Sequence, residues 1–224
     1  GEPSVEVQLR RSVRARRYSL RVSQLDGRVT LTLPERASLR EGLDFLSDRA
    51  DWVRSHLAAR PQAMTAVLGG EVPFEGKLLP VRGVKGVRGP RIEDGALIVP
   101  PDEERAAQRI QAFLKQAARD RLAAASDGFA AQIGHSYRRL TLRDTRSRWG
   151  SCSVQGDLMY SWRLIMAPPE ILTYVAAHEV AHLAEMNHSP AFWKVVAGLC
   201  PEYGRHRAWL KGNGQNLHRL RFGD

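Results

Sequence analysis

PEILTYVAAHEVAHLAEMNHSPAFW, residues 169–193, begins at the second of two prolines, Pro168 and Pro169. Its Ile171, Val175, Val180 and Leu183 predict a helix with a broad apolar surface. Into that surface the sequence sets His178, Glu179 and His182. Histidines four residues apart share one helical face, so both imidazoles can reach a single ion. Glu179 is turned by about 100° around the axis, away from the ligand pair but within reach of water beside it. With seven histidines and 13 glutamates in 224 residues, His-Glu-x-x-His is expected by chance only about 0.01 times. Two imidazoles and a carboxylate in apolar surroundings are costly without partners. A metal ion is the partner that satisfies both histidines at once.

A tetrahedral catalytic zinc takes three protein ligands and leaves one position for water. His188 is the expected third ligand. The helix is predicted to end at Asn187, and Ser189-Pro190 suits the start of the next one, with Ser as cap and Pro at the first position. A turn at His188 can therefore swing its imidazole back over the ion. Glu202, from a helix farther along, and Glu185, one turn past His182, are the alternatives. Nitrogen and oxygen donors without a thiolate favour zinc, with other divalent ions left open. Tyr174, Tyr203, His206 and Arg163 are candidates for a donor to the developing oxyanion.

Outward from this segment, the chain reads as α+β. VEVQLRR (5–11), RYSLRVSQL (17–25) and RVTLTLP (28–34) are β-rich, with Asp26-Gly27 as a hairpin turn between the last two. Leu43, Leu46, Ala50, Val53 and Leu57 recur at helical spacing over Leu39–Ala59, and Pro61 stops that run. Residues 65–100 look like further hairpins, with a clear turn at Asp94-Gly95. A long helix is predicted over 102–133, with Ile110, Phe113, Leu114, Ala117, Leu122 and Phe129 facing a core. RRLTLRD (138–144) and DLMYSWRLI (157–165) then flank the turn-like SRWGSCSVQG (147–156). The expected organisation is a strand-rich region with one helix over 1–100 and a catalytic region over 101–224.

Composition narrows the functional classes. A chain with 43% hydrophobic and 26% charged residues is an ordinary globular one, neither disordered nor collagen-like. No apolar run approaches the roughly 18 residues of a membrane span. The opening GEPSVEVQLRR lacks an apolar core for export, and its Gly1 in place of Met predicts a trimmed start. Cys152 and Cys200 form no closely spaced pair, which predicts a reducing cytoplasm. The net charge of +10 is concentrated in 1–60, with 12 basic against 8 acidic residues, and in 101–150, with 10 against 6. Such a surface suits weak nucleic-acid binding or mere solubility. The phosphate-loop, dinucleotide-binding and nucleophile-elbow motifs do not occur.

RSRWGSCS (146–153), YSWRLI (160–165), YVAAHEVAHLAEMNHSPAFW (174–193) and CPEY (200–203) together resemble the YgjP-like metallopeptidase family, a bacterial group related to the SprT and Wss1-like zinc proteases. The resemblance extends over essentially the whole chain, DWVRSHL (51–57) included. It implies a zincin-like catalytic half with His178, His182 and His188 as metal ligands and Glu179 as the catalytic residue. Ser161 departs from the pattern, standing where the family usually has Asn before Trp-Arg-Leu. The resemblance also implies that RWGSC and YSWRL are strands beside the active-site helix, where an extended peptide can add to an edge. Arg148 and Trp149 would then bind substrate, although packing at a tight glycine turn accounts for the same residues. Cys152 is not expected to act as a nucleophile, since no base accompanies it.

Three functions follow as expectations. The first is a zinc metallopeptidase acting on peptides or unfolded protein segments, with water activated by the metal and Glu179 as general base and then acid. The second is a metal-dependent hydrolase of a nucleotide phosphoanhydride, disfavoured because residues 171–193 contain no Arg. The third is a DNA-associated protease or a nucleic-acid-binding protein with a structural metal.

Overall fold

A computed structural model describes residues 4–23, 26–58 and 63–223. Gln24 and Leu25, expected to end a strand, and Ala59 and Pro61, expected to end a helix, lie outside the described residues, as does Gly1. The architecture is α+β, and the chain divides into two compact units, Gly1–Gln62 and Ala63–Asp224.

In the first unit, β1 (Val7–Ser12), β2 (Ser19–Val22) and β3 (Val29–Pro34) form one sheet in the order β1-β3-β2. β2 and β3 are the expected hairpin, closed at Gly27 with φ 73°, whereas β1 runs parallel to β3. Val29, Leu31 and Leu33 alternate inward along β3. The helix expected over 39–59 is two helices, α1 (Leu39–Ser47) and α2 (Ala50–Ala58). The break falls at Asp48, whose N–H turns back to the Asp44 and Leu46 carbonyls. Ser47 and Asp48 are residues whose short polar side chains compete for backbone bonds and weaken a helix interior. Gly42, not Leu43, is the buried position of α1: a Cβ there would meet Leu33 Cδ2 at 2.7 Å, while Leu43 is 47% exposed.

The second unit is built on α3 (Glu103–Gln132), capped by the Asp102 side chain on the Arg105 N–H. Its inward positions follow an unbroken spacing of four: Ala106, Ile110, Leu114, Ala118, Leu122, Ser126 and Ala130. The expected Phe113, Ala117 and Phe129 are only partly buried and flank this stripe. A four-stranded sheet, β5 (Glu71–Phe74), β6 (Lys77–Gly83), β8 (Ala96–Val99) and β7 (Arg91–Glu93) in that order, packs its Val72, Val81, Leu97 and Val99 into the same core. Residues 63–100 therefore share a core with α3, and the division of the chain falls at 62/63 rather than near 100. A short parallel pair, β4 (Met64–Thr65) with β12 (Leu220–Arg221), ties the ends of this unit together.

Beside α3 lies a second sheet in the order β10-β11-β9, with β9 (Arg139–Arg143), β10 (Gly150–Cys152) and β11 (Asp157–Ser161). Its β10 falls inside the stretch expected to be a turn. The actual turn is confined to 153–156, where Gly156 has φ 78° and its N–H donates to the Ser153 carbonyl, so residues 150–152 are free to pair with 158–160. Strand β11 stops at Ser161, because Trp162–Met166 coil into a fully buried 3₁₀ turn rather than extending the expected strand. The tip of the β5–β6 hairpin holds that turn, with the Glu75 and Gly76 N–H groups donating to the Ile165 and Met166 carbonyls at 2.7 and 3.3 Å. The chain then enters α4 (Pro169–Ala181), followed by α5 (Pro190–Leu199) and α6 (Tyr203–Asn213). Among the described residues no helix is long and apolar enough to cross a membrane.

Gly76 combines φ 79° with a Cβ position only 3.0 Å from Pro168 Cα. Gly76→Ala should lower the unfolding free energy by about 1–3 kcal/mol in a urea titration. An unchanged midpoint would mean that the hairpin tip does not anchor the entry to α4.

Candidate metal centre

α4 is buried nearly all round, which is why its sequence is apolar on every face. It ends at Ala181, six residues before the expected stop at Asn187, and His182 is its C-cap. The Leu183 and Ala184 N–H groups close short turns onto the Val180 and Ala181 carbonyls. His182 Nδ1 lies 3.0 Å from the Glu185 carbonyl, so Nδ1–H donates there and Nε2 keeps its lone pair. The Asn187 side chain accepts from the Ser189 N–H, and Ser189 Oγ caps α5 by accepting from Phe192 N–H, with Pro190 at the first helical position. His188 thus projects from the bend between the two helices.

This bend brings His178, His182 and His188 together. Their ligand nitrogens all lie within 4.8 Å of one another, and no other His, Cys, Asp or Glu of the described residues joins the group. His178 Nε2 and His188 Nε2 are 3.1 Å apart, close to the roughly 3.4 Å between two nitrogens on one tetrahedral zinc. Burial pushes His178 down to about 4 and lowers His182 as well, so both imidazoles are neutral at pH 7 and can donate lone pairs. The residues fit a divalent ion. Glu202 is 67% exposed and pairs loosely with Arg205, while Glu185 contributes its carbonyl rather than its carboxylate.

Phe192 and Trp193 were not anticipated. Phe192 is fully buried, and its ring lies 4.9, 4.4 and 4.8 Å from those of His178, His182 and His188. Trp193 adds contacts at 5.7 Å to His178 and 5.8 Å to His188, and on α6 Tyr203 stacks on it while Arg207 covers it at 4.9 Å. The adjacent aromatics in SPAFW, just past a helix cap, were the available signal.

Glu179 is only 6% exposed and lies against β10. A Cβ on Gly150 would sit 2.5 Å from Glu179 Cγ and 2.6 Å from its Oε1, so the glycine is what admits the carboxylate. Burial pushes this carboxyl up to about 8, opposed by the charge of Arg148. Arg148 itself is exposed, and Trp149 packs on Gly214 and 5.2 Å from His218. Burial also drives the Cys152 thiol up to about 11, leaving no thiolate for nucleophilic attack.

The oxyanion candidates separate. Arg163 is committed elsewhere, donating to Asp144 at 2.6 and 3.0 Å and to the Leu217 and Leu220 carbonyls. Tyr203 is stacked on Trp193. Tyr174 is buried 6.1 Å from the His178 ring and 6.4 Å from that of His206, and burial raises its hydroxyl to about 12, so it stays protonated as a donor.

Glu179 and His178 set opposite pH trends for the metal-free protein. A carboxyl near 8, against an ordinary 4.5, favours the fold when protonated, so stability falls as pH rises from about 4.5 to 8. A histidine near 4, against 6.5, favours the fold when neutral, so stability falls as pH drops below about 6.5. In chelator-treated protein, Glu179→Gln should remove the decline between about pH 4.5 and 8, by up to a few kcal/mol, and spare the one set by His178. The same slope in both proteins would place the buried acid elsewhere.

The family described as YgjP-like, metallopeptidase domain, matches residues 16–213. The crystal structure of the metallopeptidase zymogen of Pyrococcus abyssi abylysin is similar at 19% identity over 40% of this chain and 93% of that one, with a TM-score of 0.35. No curated protein matches the chain.

Proposed function

The chain belongs to the YgjP-like metallopeptidase family, and from that premise we propose that it is a zinc endopeptidase acting on extended peptides or unfolded protein segments. The observation that carries this reading is the convergence of three imidazoles, one helical position from a buried carboxylate that is not one of their group. His178, His182 and His188 would hold the ion, which supplies Lewis acidity toward water and the scissile carbonyl.

Glu179 then takes the proton from the attacking water and returns it to the leaving amine. Gly150 lets it lie flat against β10. β10 is an edge strand, paired only with β11, so its outer side can add an extended peptide as a further strand. Arg148 flanks that edge as a substrate contact, and Trp149, wedged against Gly214, fixes the strand's entry. The Tyr174 hydroxyl is the favoured oxyanion donor. Two free cysteines, Cys152 and Cys200, suit a cytoplasmic setting.

Glu179→Gln should retain about one metal per chain and lose roughly 10²–10⁴-fold in peptide turnover. Gly150→Ala, by displacing the same carboxylate, should behave alike, whereas His188→Ala should lose the metal itself. Metal analysis beside a peptide-library digest reads all three. Full activity in Glu179→Gln would remove that residue from the mechanism.

A further inference from the structure

The first unit holds a charged surface that the peptidase chemistry does not use. Val29, Leu31 and Leu33 point one face of the sheet into the core, so the alternate residues face away from it. The register aligns Gln8 with Thr30 and Arg21, and Arg10 with Thr32 and Ser19, across β1, β3 and β2. These six residues form a face of hydroxyls, one amide and two arginines. Gln8, Arg10, Ser19 and Arg21 are exposed. Arg11 belongs to the opposite set and is spent on the Pro34, Glu35 and Ala37 carbonyls.

The β1–β2 connection adds Arg14, Arg16 and Arg17, all exposed and, like Arg10 and Arg21, with no carboxylate bonded to them among the described residues. Of the unit's described acids, Asp26 is paired with Arg28 in the hairpin turn, and Glu41, Asp44, Asp48 and Asp51 lie on the helices or the bend between them. Glu35 follows β3, and Glu6, just before β1, adjoins the far end of the face. Arg40, Arg49 and Arg54 offset those helix acids, so the unit's excess positive charge lies on the sheet side.

We propose that this face binds the phosphate backbone of double-stranded nucleic acid without reading its sequence. Arg10 and Arg21 sit two strands and two residues apart, about 12 Å by sheet geometry. A duplex offers a phosphate charge every ~1.7 Å along its axis, so both guanidiniums and the arginine loop can be neutralised together, with the hydroxyls and the Gln8 amide as further donors to phosphate. The face presents no aromatic side chain, and single strands are held chiefly by stacking on such rings. A fluid anionic membrane would be met by several apolar side chains among the basic ones; the six residues of this face include none, and the arginine loop adds the single exposed Val13.

The test is fluorescence anisotropy of the full chain with a short labelled duplex over a range of salt. Five phosphate contacts predict a slope of log K against log salt of about −4 to −5. Arg10→Glu with Arg21→Glu should weaken binding at least tenfold and reduce the slope by about 2. The triple Gln variant of Arg14, Arg16 and Arg17 leaves the sheet intact and should reduce it by about 3. Lys85→Glu with Arg88→Glu, an equal charge change on an exposed loop of the second unit, should leave the slope unchanged. The proposal is overturned by no binding at low salt, by equal losses in the Arg10/Arg21 and Lys85/Arg88 variants, by tighter binding of the matching single strand, or by tighter binding of phosphatidylserine vesicles.

Discussion

All three histidine rings rest on Phe192. That side chain is wholly buried, within 5 Å of each imidazole centroid, and it is fixed in turn by its position in the first turn of α5. The arrangement depends on where α4 stops. Were the helix to continue to Asn187, His188 would be carried along its axis, and Phe192 could not meet rings from both the helix and the bend. Termination at Ala181, with His182 as cap and Ser189 starting the next helix within eight residues, folds the chain back over one aromatic ring. Each imidazole then has one nitrogen free to meet the other two rings' nitrogens.

A second constraint separates Glu179 from the three histidines. The carboxylate of Glu179 is as buried as the helix around it, yet it is directed to β10 instead of the histidines. Only a residue without Cβ at 150 permits this, and the same strand is an edge of its sheet. The long helix α3 and the two small sheets serve as the frame: they bury Trp162–Met166 and clamp the entry to α4, so the histidines and Glu179 project from packed elements.

Much of this was legible in residues 169–193, because a four-residue histidine spacing and a Ser-Pro helix start have local physical causes. The hairpins at Asp26-Gly27 and Asp94-Gly95 were legible for the same reason, since Gly27, Asp94 and Gly95 take positive φ values that glycine and aspartate adopt readily. What escaped the sequence was set by distant partners. The parallel pairing of β1 with β3 brings together strands 22 residues apart, and no pattern within either strand records it. Gly150 read as a turn glycine because nothing local shows that Glu179 lies over it. Trp162–Ile165 read as strand because buried residues look alike in either conformation until the Glu75 and Gly76 N–H groups that hold the Ile165 and Met166 carbonyls are known. Arg163 showed its chemistry but not its use, which is to bind Asp144 and the 217–220 carbonyls.

X-ray absorption spectroscopy of the zinc-loaded protein tests the central claim most directly. Three imidazole nitrogens and one oxygen at about 2.0–2.1 Å are predicted. A fourth protein ligand, or a first shell built from sulfur at about 2.3 Å, would contradict it.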